Sequence, residues 1–183
     1  EESINYIAAP RNPIATDTFT PEFWKKTLAK IKGHSDFLVF DTAHDFSDGT
    51  ISILAEVETI LLIVTPDMAS LRATVSTLEV YDQLGFAPDQ ILLVLNYNTN
   101  ITGIKQAQLE KVFEREFDYV IPHEPKEVFR AINFGEPFIL ANPKLPISIA
   151  IEDMAYDLSH SSYKNIPPAS PSSAWKRVTE RKK

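Results

Sequence analysis

The chain contains no cysteine, which excludes disulfides, thiolate catalysis and thiolate-bound metal. Histidine is nearly as scarce, with four scattered residues and no HxxxH spacing to hold zinc. Long apolar runs are missing too. Those present, such as Ile60-Leu61-Leu62-Ile63-Val64, fall far short of the ~20 residues that span a bilayer, and the first residues show no charged-then-apolar leader pattern. Only five glycines occur, Gly33, Gly49, Gly85, Gly103 and Gly135, and none stands in a GxxxxGK[ST] phosphate loop. Positive charge is also lacking over most of the chain. Residues 161–183 hold six Lys/Arg and one Glu, so the net charge of −7 conceals a body with 12 basic and 24 acidic residues, or −12. Such a body repels phosphate backbones, and no direct nucleic-acid partner is expected. A soluble cytoplasmic protein fits these absences.

What is present suffices for one sizeable core: 183 residues, 44% of them hydrophobic. Four short aliphatic runs each stop at a polar residue or proline and lead into a longer helix-like stretch. They are Phe37–Phe40 ending at Asp41, Ile60–Val64 ending at Thr65-Pro66, Ile91–Leu95 ending at Asn96, and Tyr119–Ile121 ending at Pro122. Runs apolar at every position suit strands buried on both faces. Their ends lie 24, 31 and 26 residues apart, close to the ~30 residues of a βαβ unit. The expected fold is therefore α/β, a three-layer, mostly parallel sheet with helices on both faces. Ile4–Ala8 is a further strand candidate, followed by an irregular link at Pro10 and Pro13.

Helix ends are marked. Thr20-Pro21 supplies an N-cap and first-turn proline for a helix stopping at Gly33. Asp67 opens another, with Leu71, Val75, Leu78 and Leu84 on its buried side, stopping at Gly85. Further helices are expected over about 105–115, 126–134 before Gly135, and 147–158. Residues 1–160 thus form the folded body, and 161–183 read as a flexible basic Pro/Ser-rich tail. Trp175 and Val178 among its Lys and Arg allow at most a weak contact with an anionic membrane surface, because two apolar residues bury too little area for stable binding.

In an open α/β sheet, ligands bind beyond the C-terminal ends of the strands. That places Asp41, Thr65, Asn96 and Pro122 along one edge. An Asp directly after a buried strand suits a carboxylate that orients the water shell of Mg²⁺ on nucleotide phosphates. It equally suits a cap on the following turn. Asn96 likewise fits a turn cap, and Pro122 a strand terminator. His44 reads as a solvated loop histidine. Asp45 and Asp48 either repel each other or help to cap a helix after Phe46; Arg130 and Glu136 read as surface charges.

The series FLVFDTAHDFSD, ILLIVTPDMASLRA, ILLVLNYN and DYVIPHEPKEVFRAINFGEPFI resembles the C-terminal two-thirds of the MinD/ParA family of deviant P-loop ATPases. It looks most like the CpaE/TadZ branch associated with Tad/Flp pilus assembly. The likeness runs over about residues 3–160, and residues 1–160 would be the C-terminal part of such an ATPase domain. It implies that Asp41 and Thr42 close Walker B and open switch II, with Asp41 reaching Mg²⁺ through water. Ala43 stands where proline is usual, implying a looser switch. It implies that Asn96 contacts the base, that Pro122 and His123 pack beside adenine, and that Pro66–Arg72 lie near a dimer interface. ATP and Mg²⁺ are the implied cofactors. A homodimer, pilus or secretion machinery and a place at the inner face of the membrane are the implied partners and location.

The resemblance lacks its phosphate cradle. Two expectations compete: a fragment supplying Walker B, base-binding loop and dimer surface, or a natural short form acting as a non-catalytic scaffold. Either way the 183 residues alone are expected to bind no nucleotide tightly and to have no significant ATPase activity. A phosphoacceptor receiver domain fits poorly, because it needs a Lys after the last strand, where this chain has Pro122.

Overall fold

The computed structural model describes residues 5–8, 19–100, 104–159, 161–166 and 170–183. They divide into two compact units, Glu1–Ile60 and Leu61–Lys183.

The first unit is built from helices α1 (Pro21–Ile31) and α2 (Asp48–Leu54), which pack on each other. Thr20 caps α1 by accepting from the Phe23 N–H, and Ser47 caps α2 by accepting from the Thr50 N–H. Leu28, Ile53 and Leu54 are buried between them. Phe19, Phe23 and Trp24 form an aromatic cluster with ring centroids 4.9–5.5 Å apart. Gly49 lies close to this cluster: a Cβ there would come within 3.3 Å of Trp24 Nε1, a tight contact that the indole would have to ease.

Two expected strands do not form in this unit. Residues 37–40 carry no strand, and Val39 is 92% exposed. Apolar content alone does not make a strand; a hydrogen-bonded ladder does, and no strand among the described residues pairs with this segment. Residues 5–8 are likewise irregular, with Tyr6 and Ile7 exposed. Ile4, Pro10 and Pro13 lie outside the described residues.

The second unit holds a three-stranded sheet in the order β1 (Ile60–Val64), β2 (Ile91–Asn96), β3 (Tyr119–Ile121). β2 and β3 run parallel, with Val94 opposite Tyr119, Leu95 opposite Val120 and Asn96 opposite Ile121. Side chains alternate across the sheet. Leu93 and Leu95 join Val64, Phe117, Leu71 of α3 (Met68–Gln83) and Leu109 of α4 (Gln106–Phe113) in one core. Val94, on the other face, is fully buried as well. β1 is buried on one face only, since Leu61 and Ile63 are exposed; its unbroken apolar run had suggested both. Leu84, at 49% exposed, also lies outside the core expected of it.

Helices α5 (Pro125–Phe134), α6 (Phe138–Ala141) and α7 (Pro146–Leu158) follow β3, and α7 packs on it. Gly33, Gly85 and Gly135 take left-handed backbone angles at helix ends, at φ +95°, +79° and +68°, where only glycine avoids strain.

The tail departs most from expectation. After α8 (Ser161–Asn165), residues 173–181 form α9, docked on α7. Val178 is 2% exposed, and Arg177, Arg181 and Lys182 pair with Glu152, Asp153 and Asp157. Those cations are neutralised in cis, which removes much of the charge a membrane-surface contact would use.

The β2–β3 register is pinned at its start. The Asp118 N–H donates to Leu93 O at 3.0 Å, and the Leu93 N–H donates to the Asp118 carboxylate at 2.7 Å. Arg115 bonds the same carboxylate at 3.0 Å and reaches Pro88 O at 3.4 Å. Asp118→Ala should therefore lower unfolding stability by about 1–3 kcal/mol, the range for losing a charge-assisted bond to a part-buried N–H. Urea titration checks this; an unchanged midpoint would show the clamp to be idle.

Candidate functional site

Parallel strands deliver their C-terminal ends to one edge, and the β2–β3 register makes that edge specific. β2 finishes at Asn96, directly across from Ile121, and β3 is followed at once by Pro122 and His123. The pairing continues one residue further, with the Tyr97 N–H donating to Ile121 O at 3.0 Å. The chain then turns sharply, the Asn98 N–H bonding Asn96 O at 2.9 Å. His123 Nδ1 lies 3.1 Å from Tyr97 O. A carbonyl only accepts, so this contact holds the proton on Nδ1 and leaves Nε2 as an acceptor in the neutral ring. Asn96, Pro122 and His123 are all half-buried, placed between a rigid sheet and solvent. The structure brings these three sequence-predicted residues together.

The end of β1 is organised differently. Thr65 donates its hydroxyl to Asp67, whose other carboxylate oxygen accepts from the Ser70 N–H at 2.9 Å; the Thr65 N–H donates to Ser70 Oγ at 2.9 Å. Asp67 thereby caps α3 from within. The Ser70 N–H and the Thr65 hydroxyl hold its carboxyl below the ordinary value of 3.8. These donors are used by the protein itself, so this helix start serves structure.

Asp41 and Thr42 belong to the first unit, in the irregular stretch before α2; Asp41 is exposed and Thr42 half-buried. His44 is exposed beside them. Asp45 is a cap: its Oδ1 accepts from the Thr50 hydroxyl at 2.7 Å and from the Ser47 hydroxyl and N–H at 2.8 and 3.1 Å. Those bonds, Thr50 first, hold its carboxyl below the ordinary range. Among the described residues no group of three His, Asp or Glu could enclose a metal ion. The single carboxylate of Asp41 suits an outer contact to a hydrated ion, not a closed site. Arg130 and Glu136 are exposed, 4.0 Å apart.

No model of a protein family matches the chain. Solved structures do. A ParA family ATPase from Chlorobium tepidum superposes with a TM-score of 0.74 at 20% identity, over 82% of this chain and 62% of that one. The MinD cell division protein of Aquifex aeolicus matches at 0.64 and 24%, over 82% and 63%, and its complex with MinC matches at 0.64 and 24%, over 83% and 63%. The fold is that of the ParA and MinD ATPases. Among curated proteins, an uncharacterized ATP-binding protein of Methanocaldococcus jannaschii is 23% identical over 145 residues, 79% of this chain. The chain spans about half, 54%, of that relative's length. The α/β parallel sheet with helices on both sides is thus shared with the solved ParA and MinD structures. No helix among the described residues is long and apolar enough to cross a membrane.

Sequence reasoning passed over Tyr97, whose carbonyl orients His123. Its only signal was its place directly after Asn96.

The capping carboxylates make a pH prediction. A depressed carboxyl contributes stability that is complete above its unfolded value and is lost as pH falls through the folded value. The Asp67 contribution should therefore be full at pH 5–7 and fade as pH falls below 3.8. Asp67→Asn should lower Tm near neutrality and flatten its fall below about pH 4. Thermal melts between pH 7 and 3 decide this; parallel curves for both proteins would contradict it.

Proposed function

We propose that the chain supplies the base-contact edge, switch II segment and dimer surface of a MinD/ParA-like ATP-binding protein of the CpaE/TadZ type, serving pilus assembly or subcellular positioning. The observation that carries the reading is the register that sets Asn96 across from Ile121, with Pro122 and His123 following. A carboxamide offers one donor and one acceptor side by side, matching the N6–H and N7 of adenine. Pro122 supplies an apolar surface for the ring, and His123, with Nδ1 engaged at Tyr97 O, keeps Nε2 as an acceptor. In this reading Asp41, with Thr42, orients the water around Mg²⁺ on the phosphates, and Pro66–Arg72 meet the second protomer of a homodimer. Pilus or secretion machinery would be the partner, at the cytoplasmic side of a membrane. The ATP-binding name of the archaeal relative and the ParA/MinD fold support nucleotide as the ligand; the pilus role rests on the sequence resemblance alone.

A second reading, a non-catalytic scaffold of the same fold, is favoured by one observation: the polar groups after β1 are consumed in capping α3. A positioned lysine and open N–H groups are what a transferring phosphoryl group needs.

Amide NMR separates the outcomes. Adenosine added to the purified chain should shift residues 96–98 and 121–124 in a weak, non-saturating manner, guanosine should shift them less, and Asn96→Ala should abolish the effect. ATP hydrolysis should stay at the buffer rate. Saturable ATP binding with turnover, or shifts that avoid the Asn96 edge, would contradict the proposal.

A further inference from the structure

Helix α5 is turned the unusual way round for a surface helix. Its apolar residues Pro125, Val128, Phe129 and Ile132 recur at the spacing that lines one stripe, and such a stripe ordinarily faces a core. Here Phe129 is 65% and Ile132 72% exposed, and no residue of α5 is fully buried. The side held against the protein carries Glu127 and Ala131, both half-buried, where Glu127 accepts from Asn142 Nδ2 at 2.8 Å. Phe134 at the helix end and Leu140 of α6 are exposed as well. Single exposed apolar residues are ordinary; four large ones between 129 and 140 mark an interaction face.

The charges beside the stripe match a second copy of the same helix. Arg130 Nη2 lies 4.0 Å from Glu136, and both side chains are more than half exposed. Lys126 is one helical turn before Arg130. One flank of the stripe therefore carries two cations followed by an anion. Laid against its own reverse, that order brings Lys126 to the partner's Glu136 at both ends of the contact. With the two-fold between Arg130 and Ala131, Phe129 meets the partner's Ile132, and each Arg130 keeps its own Glu136 beside it. Residues 124–136 hold two basic and three acidic side chains, so the approach is made through a nearly neutral stretch of a chain with a net charge of −7. The four exposed apolar side chains offer roughly 500 Å² per copy, about 1,000 Å² for a pair, which is short of the ~1,200–2,000 Å² of a tight complex. The pairing is accordingly weak and reversible.

We propose that the outward stripe of α5 is a two-fold self-association surface, an antiparallel helix pair in which Phe129 packs on the partner's Ile132 and Lys126 pairs with the partner's Glu136. It uses residues other than Pro66–Arg72 and needs no nucleotide, so it stands or falls separately from the function proposed above.

Sedimentation equilibrium of the purified chain without nucleotide, over roughly 5–500 µM, should show the weight-average mass climbing from 20.6 kDa toward twice that value. Phe129→Glu or Ile132→Glu, each at an exposed position, should weaken association by about ten-fold or more without lowering Tm. Leu84→Glu, an exposed apolar residue at the end of α3, should leave association unaltered. Lys126→Glu and Glu136→Lys should each weaken it by about three-fold or more, whereas an equimolar mixture of the two should regain most of the parent's mass, because opposite charges again meet across the contact. A parent that stays at 20.6 kDa throughout would show that a second copy is not what covers this face. The proposal is equally overturned if the α5 variants associate like the parent, if Leu84→Glu weakens association as much as they do, or if the mixture is no heavier than its components.

Discussion

The parallel register of β2 on β3 is the constraint from which the candidate site follows. It is set at one end by the paired Asp118 and Leu93 bonds and confirmed at the other by the Tyr97 N–H on Ile121 O. Between them Leu93, Val94 and Leu95 are fully buried. With both faces of β2 buried, apolar packing alone does not distinguish one register from the next; the Asp118–Leu93 bonds do, and the register they set places Asn96 across from Ile121.

The three strand ends have unequal freedom. After β1, Thr65, Asp67 and Ser70 bond one another and leave little for a ligand. After β2 and β3, one histidine contact ties the two loops together while the Asn96 carboxamide and the Pro122 ring stay half-buried. These side chains offer a carboxamide's hydrogen bonds and the apolar face of a proline ring. Charge neutralisation of several phosphate oxygens is not among the things these side chains do, which is why base contact and phosphoryl chemistry separate in the proposed function.

Much of this was legible in the sequence, for reasons that belong to particular residues. Ile91–Leu95 and Tyr119–Ile121 are short, β-rich and bounded by polar or proline residues, and both are strands. Thr20, Asp67 and Gly135 mark helix ends by chemistry that acts within three or four residues. What failed was non-local. Phe37–Phe40 has the composition of a strand, yet the ladder that would make it one is a property of neighbours. Likewise α9 looked like a solvated tail because its polar residues outnumber its apolar ones; what docks it is a set of carboxylates on α7, some 25 residues earlier. Charge complementarity at that distance leaves no periodic signal. Asp41 was read as the polar close of a strand over Phe37–Phe40, and that strand does not form.

The most direct test of the central claim uses the absence of cysteine, which permits clean single-site spin labelling. A nitroxide on Asn98→Cys, just past the end of β2, should broaden the amides of 121–124 strongly and those of 117–118 weakly. The opposite gradient, or equal broadening along β3, would mean that Asn96 and Pro122 do not share an edge, and the nucleotide interpretation would fall with it.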